Sequence, residues 1–272
     1  MRFSVYCRRA SLALAYLLLI SCGSVSEKDG APGRVPDISQ IPDAVPKYEP
    51  RSKYGNPAQY EVFGKSYYTL TSAEGYREKG IASWYGTKFH GRRTSSGEIY
   101  DMYEMTAAHK TLPLPSYVEV TNLENGRKVI VKVNDRGPFH DNRLIDLSYS
   151  AATKLGIVSK GTGLVEVRAI TPGSAPKTLT SKVDRGFEPV KPASSAAMFL
   201  QVGAFSTRNR AEQVKIRLEQ DIADSVTIMP VSGVQGTLYR VRVGPLASVA
   251  YGDDLAARLV GLGFRDSHIV VD

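Results

Sequence analysis

Three short polar stretches hold the residues best able to move protons: 89–98, 106–113 and 134–139, which contain Glu98, His109 and Asp135. A glutamate, a histidine and an aspartate without a metal or nucleophile motif suit acid–base work on an acetal, where one carboxylic acid protonates a leaving oxygen and its neighbours tune it. Each residue also has a structural reading. Asp135, just ahead of Arg136-Gly137-Pro138, fits an Asx-type turn whose carboxylate accepts backbone N–H groups. His109, beside Ala107 and Ala108, fits a buried imidazole satisfied by the backbone, and Glu98, after Ser95-Ser96-Gly97, fits a solvated loop.

Other chemistries find less support. His90, His109, Asp135 and His140 form no HExxH pair, so neither a metal nor another cofactor is expected. There is no GxSxG elbow, and Ser95-Ser96 lies in a glycine-flanked turn, which argues against a serine hydrolase.

The polar stretches flank short alternating segments, where a rigid scaffold presents chemistry. Ile81 to Tyr85, Tyr117 to Thr121, Lys128 to Val133 and Thr162 to Ile170 read as strands, with Asn125-Gly126 as a hairpin turn. Ser148 to Leu155 reads as one helix, capped by Ser148. Short strands, many glycines and one small helix predict a compact six-stranded barrel over 78–170. A second unit over 197–272 reads βαββαβ: strands at 199–203, 226–230, 239–243 and 267–271, helices at 209–219 and 248–262. This order predicts a four-stranded antiparallel sheet with both helices on one face, so the class is mainly β plus α+β. Gln201, Phe205, Tyr239 and Arg242 are candidates for its open face; alternation alone does not say which face the helices cover.

Prolines punctuate the remainder. Pro32, Pro36, Pro42, Pro46, Pro50 and Pro57 make the start of 22–77 a tether, its aromatic end, 60–77, an extended arm onto the barrel, and 171–196 a second linker. Ahead of these, basic residues and the apolar run Ala10–Ile20 form a secretory signal over 1–21. Only Cys7 and Cys22 exist, so the mature chain cannot close an internal disulfide.

At 42% hydrophobic and 23% charged, the 272 residues have ordinary globular composition, and their length favours two domains. Arg2, Arg8 and Arg9 contribute three of the net +8 charges, leaving +5 beyond Cys22. In the second unit eight Lys or Arg from Arg208 to Arg265 meet eight Asp or Glu from Glu212 to Asp272. That balance argues against nucleic acid as a partner.

Several motifs carry a resemblance. Gly80-Ile81-Ala82-Ser83-Trp84-Tyr85-Gly86, Phe89-His90-Gly91-Arg92-Arg93-Thr94, Thr106-Ala107-Ala108-His109, Val133-Asn134-Asp135-Arg136-Gly137-Pro138-Phe139 and Arg143-Leu144-Ile145-Asp146-Leu147-Ser148 resemble the rare lipoprotein A family of septal-ring lytic transglycosylases. Phe199-Leu200-Gln201-Val202-Gly203-Ala204-Phe205, Asn209-Arg210-Ala211 and Tyr239-Arg240-Val241-Arg242-Val243-Gly244-Pro245 resemble its SPOR repeat, and Leu19-Ile20-Ser21-Cys22 resembles a lipobox. The departure is small: Arg93-Thr94-Ser95-Ser96-Gly97-Glu98 has serines where many relatives have Thr-Ala-Asn-Gly-Glu.

The resemblance implies a double-psi β-barrel that cleaves the β-1,4 bond from N-acetylmuramic acid to N-acetylglucosamine without water. It leaves 1,6-anhydromuramyl ends and prefers glycan lacking stem peptides. It also implies Asp135, His109 and Glu98 as the catalytic set, Trp84, Tyr85 and Arg136 as substrate contacts, and a SPOR domain recruited by the same denuded strands. Cys22 becomes the acylated first residue, and Gly23 after it directs the lipoprotein to the outer membrane, facing the periplasm at the septum beside possible division proteins. Two alternatives stay open: an inverting hydrolase with Glu98 and Asp135 around a water, and a septal binding protein without turnover.

Overall fold

Valines at every second position build the first domain. Val118 and Val120, Val129, Val131 and Val133, and Val165 and Val167 are buried to 1% exposure or less and point into one core, as period-two alternation requires of a sheet packed on one face. The computed structural model describes residues 29–34, 37–173, 196–233 and 236–272; the signal, Cys22 and most of the second linker lie outside them.

The described chain begins with a one-turn 3-10 helix (Ile38–Gln40) and a hairpin of β1 (Gln59–Val62) and β2 (Lys65–Tyr68). The barrel strands are β3 (Arg77–Trp84), β4 (Thr106–His109), β5 (Ser116–Asn122), β6 (Lys128–Asp135), β7 (Ile145–Leu147) and β8 (Gly163–Ile170), closed in the order β3-β7-β4-β6-β5-β8. Pairs β3/β7 and β4/β6 are parallel and the others antiparallel. Helix α1 (Tyr149–Leu155) starts at Ser148, whose side chain accepts from the Ala151 amide, and stops at Gly156 in the left-handed region at φ 76°.

Two barrel strands escape sequence reading. β4 lies inside what reads as a polar loop, and β7 is three residues long, below the length at which alternation gives a signal. The segment 37–58, expected as tether, instead lies along the barrel. Asp43 Oδ2 accepts from the Ile130 amide at 3.0 Å, Ala44 N donates to Ile130 O at 3.0 Å, and Asn56 exchanges two 2.8 Å bonds with the backbone of Leu114. Barrel amides and carbonyls outside the ladders need partners, and an extended chain beside them supplies these without forming a strand of its own.

The second domain comprises β9 (Met198–Phe205), α2 (Arg208–Asp221), β10 (Val226–Gly233), β11 (Gly236–Val243), α3 (Val249–Gly261) and β12 (His268–Val271), with sheet order β10-β11-β9-β12. Leu200, Val202, Val241 and Val243 meet Ala211, Leu218, Leu255 and Leu259 of the helices in one core. Ile81 and Leu164 of the barrel join that core, and Asp253 bonds Arg143 at 2.9 Å and Asn142 at 2.7 Å, so the two domains touch beside the 140–143 loop.

Candidate active site

Asp135 ends β6, where the ladder with β4 shifts register so that it sits opposite Ala108. Its Oδ1 accepts three bonds: from Ser95 N at 2.7 Å, Ser95 Oγ at 2.6 Å and Arg136 N at 2.7 Å. With all three donors on Oδ1, Oδ2 is the oxygen left for another partner. The turn reading of Asp135 is met by one oxygen, which holds the loop, while the other is available. The serines that depart from the common pattern take part directly, because Ser95 supplies two of the donors.

Glu98 closes the same 94–98 turn, joined to β6 by the bond from Ser96 N to Asn134 O. Its oxygens accept from Lys132 Nζ at 2.7 Å and Asn134 Nδ2 at 2.7 Å, and the side chain is partly open to solvent. Lys132 also meets Glu49 of the N-terminal segment at 3.1 Å. Burial works against its ammonium, yet Glu98 and Glu49 together hold its pKa above the usual lysine value. Beside Glu98, Lys53, Tyr54 and Arg93 line an open cleft in which Tyr54 presents an exposed ring; Tyr54 lies in the proline-rich stretch and gave no signal in sequence.

His109 lies elsewhere. It is 2% exposed, its Nδ1 accepts from the amides of Thr111 (3.2 Å) and Leu112 (3.1 Å), and its Nε2 therefore carries hydrogen and donates to Tyr76 Oη at 2.9 Å. Tyr76 in turn donates to Glu78 at 2.8 Å. No hydrogen bond joins the His109 ring to Asp135 or Glu98 among the described residues. Burial first, then the charges of Lys110 and Arg136, pull the imidazole down to about 3. His109 is thus neutral at neutral pH, and its carbonyl accepts from Arg136 Nη1 at 3.0 Å.

A depressed histidine pKa has a signed consequence. Between about 3 and the ordinary 6.5 the unfolded chain binds a proton that the folded chain refuses, so stability rises with pH across that window and is lost as pH falls through it. The contribution is about 1.4 kcal/mol per pH unit. Denaturant unfolding of the wild type from about pH 4 to pH 7 should show this slope, and His109→Gln should lack it; equal slopes would remove His109 as the cause.

Arg136 spends its guanidinium on the protein. Nε donates to Gly55 O at 2.8 Å, Nη1 to His109 O and to Leu112 O at 2.6 Å, and Nη2 to Asn56 Oδ1 at 3.3 Å. It clips two stretches of chain, 55–56 and 109–112, beside Asp135. Trp84 and Tyr85 are also engaged internally: Trp84 packs edge-on against Tyr149 at 5.7 Å, and Tyr85, 7% exposed, stacks on Tyr100 at 4.1 Å.

The sequence reading assigned no role to a third acid, Asp146. Ser83 sits opposite Asp146, Asp146 opposite Ala108, and Ala108 opposite Asp135, so these four form one row across β3, β7, β4 and β6. Directly opposed residues share a face, and only the small Ala108 separates the two acids. Burial raises the Asp146 pKa, opposed by the Ser83 hydroxyl bonded to it and by Arg143 and Lys110, while Asp29 raises it further. A signal did exist: an acid between Ile145 and Leu147 in an alternating triplet must face away from the barrel core.

In the second domain a bulge at Val241/Arg242 sorts the four candidates. Phe205 opposes Tyr239, and both pack on the core that the helices cover. Gln201 opposes Arg242 on the other face. Arg242 is 5% exposed, with Nη1 2.9 Å from both carboxylate oxygens of Asp272, and Gln201 Oε1 is buried with no hydrogen-bond partner among the described residues.

Comparison with known proteins matches residues 77–167 to the lytic transglycolase family model and 194–271 to the SPOR domain model. The barrel is therefore of the double-psi class. A curated relative from Pseudomonas aeruginosa strain UCBPP-PA14, endolytic peptidoglycan transglycosylase RlpA, is 41% identical over 87% of this chain and 88% of its own length. The protein of that name from Vibrio cholerae serotype O1 is 41% identical over 91% of this chain and 89% of its own, and that from Pasteurella multocida is 58% identical over 41% of this chain and 38% of its own. Family models matched over both domains and 41% identity spanning most of the sequence establish that the chain belongs to the RlpA family of endolytic peptidoglycan transglycosylases.

Proposed function

We propose that this chain cleaves the β-1,4 bond from N-acetylmuramic acid to N-acetylglucosamine in glycan freed of stem peptides and leaves 1,6-anhydromuramyl ends. The observation that supports this best is the Asp135 carboxyl group, pinned through Oδ1 with Oδ2 available and Asp146 on the same face. Protonated Asp135 donates from Oδ2 to the glycosidic oxygen as the bond to C1 breaks and positive charge develops on the muramyl ring. The resulting carboxylate then accepts the proton of that sugar's C6 hydroxyl while its oxygen bonds to C1. No water is consumed, and the intramolecular attack has the entropic advantage of a tethered nucleophile.

Ser95 and Arg136 fix Asp135 in this role, and Glu98, braced by Lys132 and Asn134, faces the sugar from the adjoining turn. His109 is a positioning residue behind them. Cys22 carries the lipid that anchors the chain to the outer membrane, and the SPOR sheet, with Gln201 and Arg242 on its open face, brings the barrel to denuded glycan at the septum. The test is incubation of the soluble mature chain with intact and amidase-stripped peptidoglycan, with mass analysis of the fragments. Anhydro ends released faster from the stripped material are expected. Equal release from both materials would contradict the preference; absence of release from either would contradict the activity.

A further inference from the structure

Just past β3 the chain turns so that successive backbone amides converge. Gly86 N reaches both carboxylate oxygens of Asp29, at 3.0 and 3.1 Å, and Lys88 N reaches Asp29 Oδ1 at 3.1 Å. Between them Thr87 N donates to Gly30 O at 3.0 Å. Such a concave run of N–H groups is an anion site, and here it is filled by a carboxylate from the distant N-terminal segment. Gly86 is what permits the approach: a Cβ there would lie 2.0 Å from the Gly30 carbonyl oxygen.

The site adjoins the carboxylate row. Tyr85 precedes Gly86, and the fields of Asp135 and Asp146 both reach its phenol. Asp29 acts on Asp146 as well, adding to burial in raising its pKa. A negatively charged group beside two acids that must handle protons is costly to keep unless it bonds something, and the amides are what it bonds.

The substrate offers the same chemistry. In peptidoglycan the lactyl group of muramic acid carries the stem peptide as an amide, and hydrolysis of that amide leaves a free carboxylate. We propose that the Gly86 and Lys88 amides bind the lactyl carboxylate of stripped muramic acid, and that Asp29 occupies this site in the free protein as an intramolecular stand-in. The inference rests on the proposed action on stripped glycan and gives that preference a physical basis. A carboxylate offers two charged oxygens to the amides, as Asp29 does, whereas a lactyl amide offers one neutral oxygen and brings a peptide into the space of Asp29 and Gly30.

Asp29 then sets a threshold that substrate must overcome. Occupancy of about 90% by the stand-in would weaken apparent affinity about tenfold. The test uses the full mature chain, wild type and Asp29→Ala, each shown folded by circular dichroism and titrated with N-acetylmuramic acid, its lactyl methylamide and N-acetylglucosamine while backbone amides are followed by NMR.

N-acetylmuramic acid should shift the Gly86 and Lys88 amides and bind about tenfold tighter to D29A, with no such gain for the other two sugars; D29A should also raise kcat/KM on stripped glycan several-fold. Equal gains for the acid and the methylamide, or an acid that leaves both amides unmoved, would overturn the proposal. The titration needs no turnover, so an inactive wild type would defeat the proposed reaction while the amide shifts still decide the carboxylate site.

Discussion

Asp135→Asn should lower the rate of glycan cleavage by at least about 100-fold while the protein stays folded, since positioned general acids are worth about 10²–10⁴-fold. Asparagine keeps the volume and retains an acceptor oxygen for Ser95 N, Ser95 Oγ and Arg136 N, the three bonds that hold the turn. What disappears is the carboxyl oxygen, Oδ2, that the proposed mechanism uses to donate a proton. An Asp135 that served only the turn would give the opposite balance, activity falling only as folded protein is lost. Rate measured on protein shown folded by circular dichroism separates the two. Near-wild-type turnover by folded D135N would eliminate Asp135 as the proton donor and move that role to Glu98.

Arg136→Met should act on stability first. The guanidinium carries four bonds to Gly55, His109, Leu112 and Asn56, and its removal leaves three backbone carbonyls without that donor. Hydrogen bonds from a charged group are worth about 1.5–3 kcal/mol each, and water recovers part of the loss at a half-buried site, so a net cost of about 3 kcal/mol is expected. That corresponds to a fall in thermal midpoint of about 10 °C or more for a domain of this size. Arg136→Lys should rescue little, because an ammonium cannot span carbonyls placed for a planar fork. A residue that only gripped substrate would instead raise KM and leave the midpoint in place.

These two neighbours show how far a sequence carries. Asp135 was identifiable because its strand alternates and its motif is distinctive. Arg136 belongs to the same motif, yet its partners at 55, 56, 109 and 112 come from segments that only the closed barrel assembles. Valine alternation in β5, β6 and β8 announced a barrel, whereas β4 and β7 are too short and too buried to show a period. Asp146 carried one local sign, an acid between Ile145 and Leu147, but its place beside Asp135 depends on the pairings of β4 with β7 and β6, which no local pattern encodes. His109 left two readings open in sequence, proton transfer and a buried imidazole satisfied by the backbone, and its burial and two amide donors match the second. Proline spacing suggested a loose tether over 37–58, where the partners that fix the segment all lie far along the chain.

The measurement that reaches the central claim is end-group analysis of stripped glycan cleaved by the wild-type chain in water enriched in heavy oxygen. Attack by the sugar's own C6 oxygen takes no atom from solvent, so the muramyl ends should be one water lighter than reducing ends and carry no heavy oxygen. Reducing ends labelled from solvent would show a hydrolase on this barrel and contradict the account.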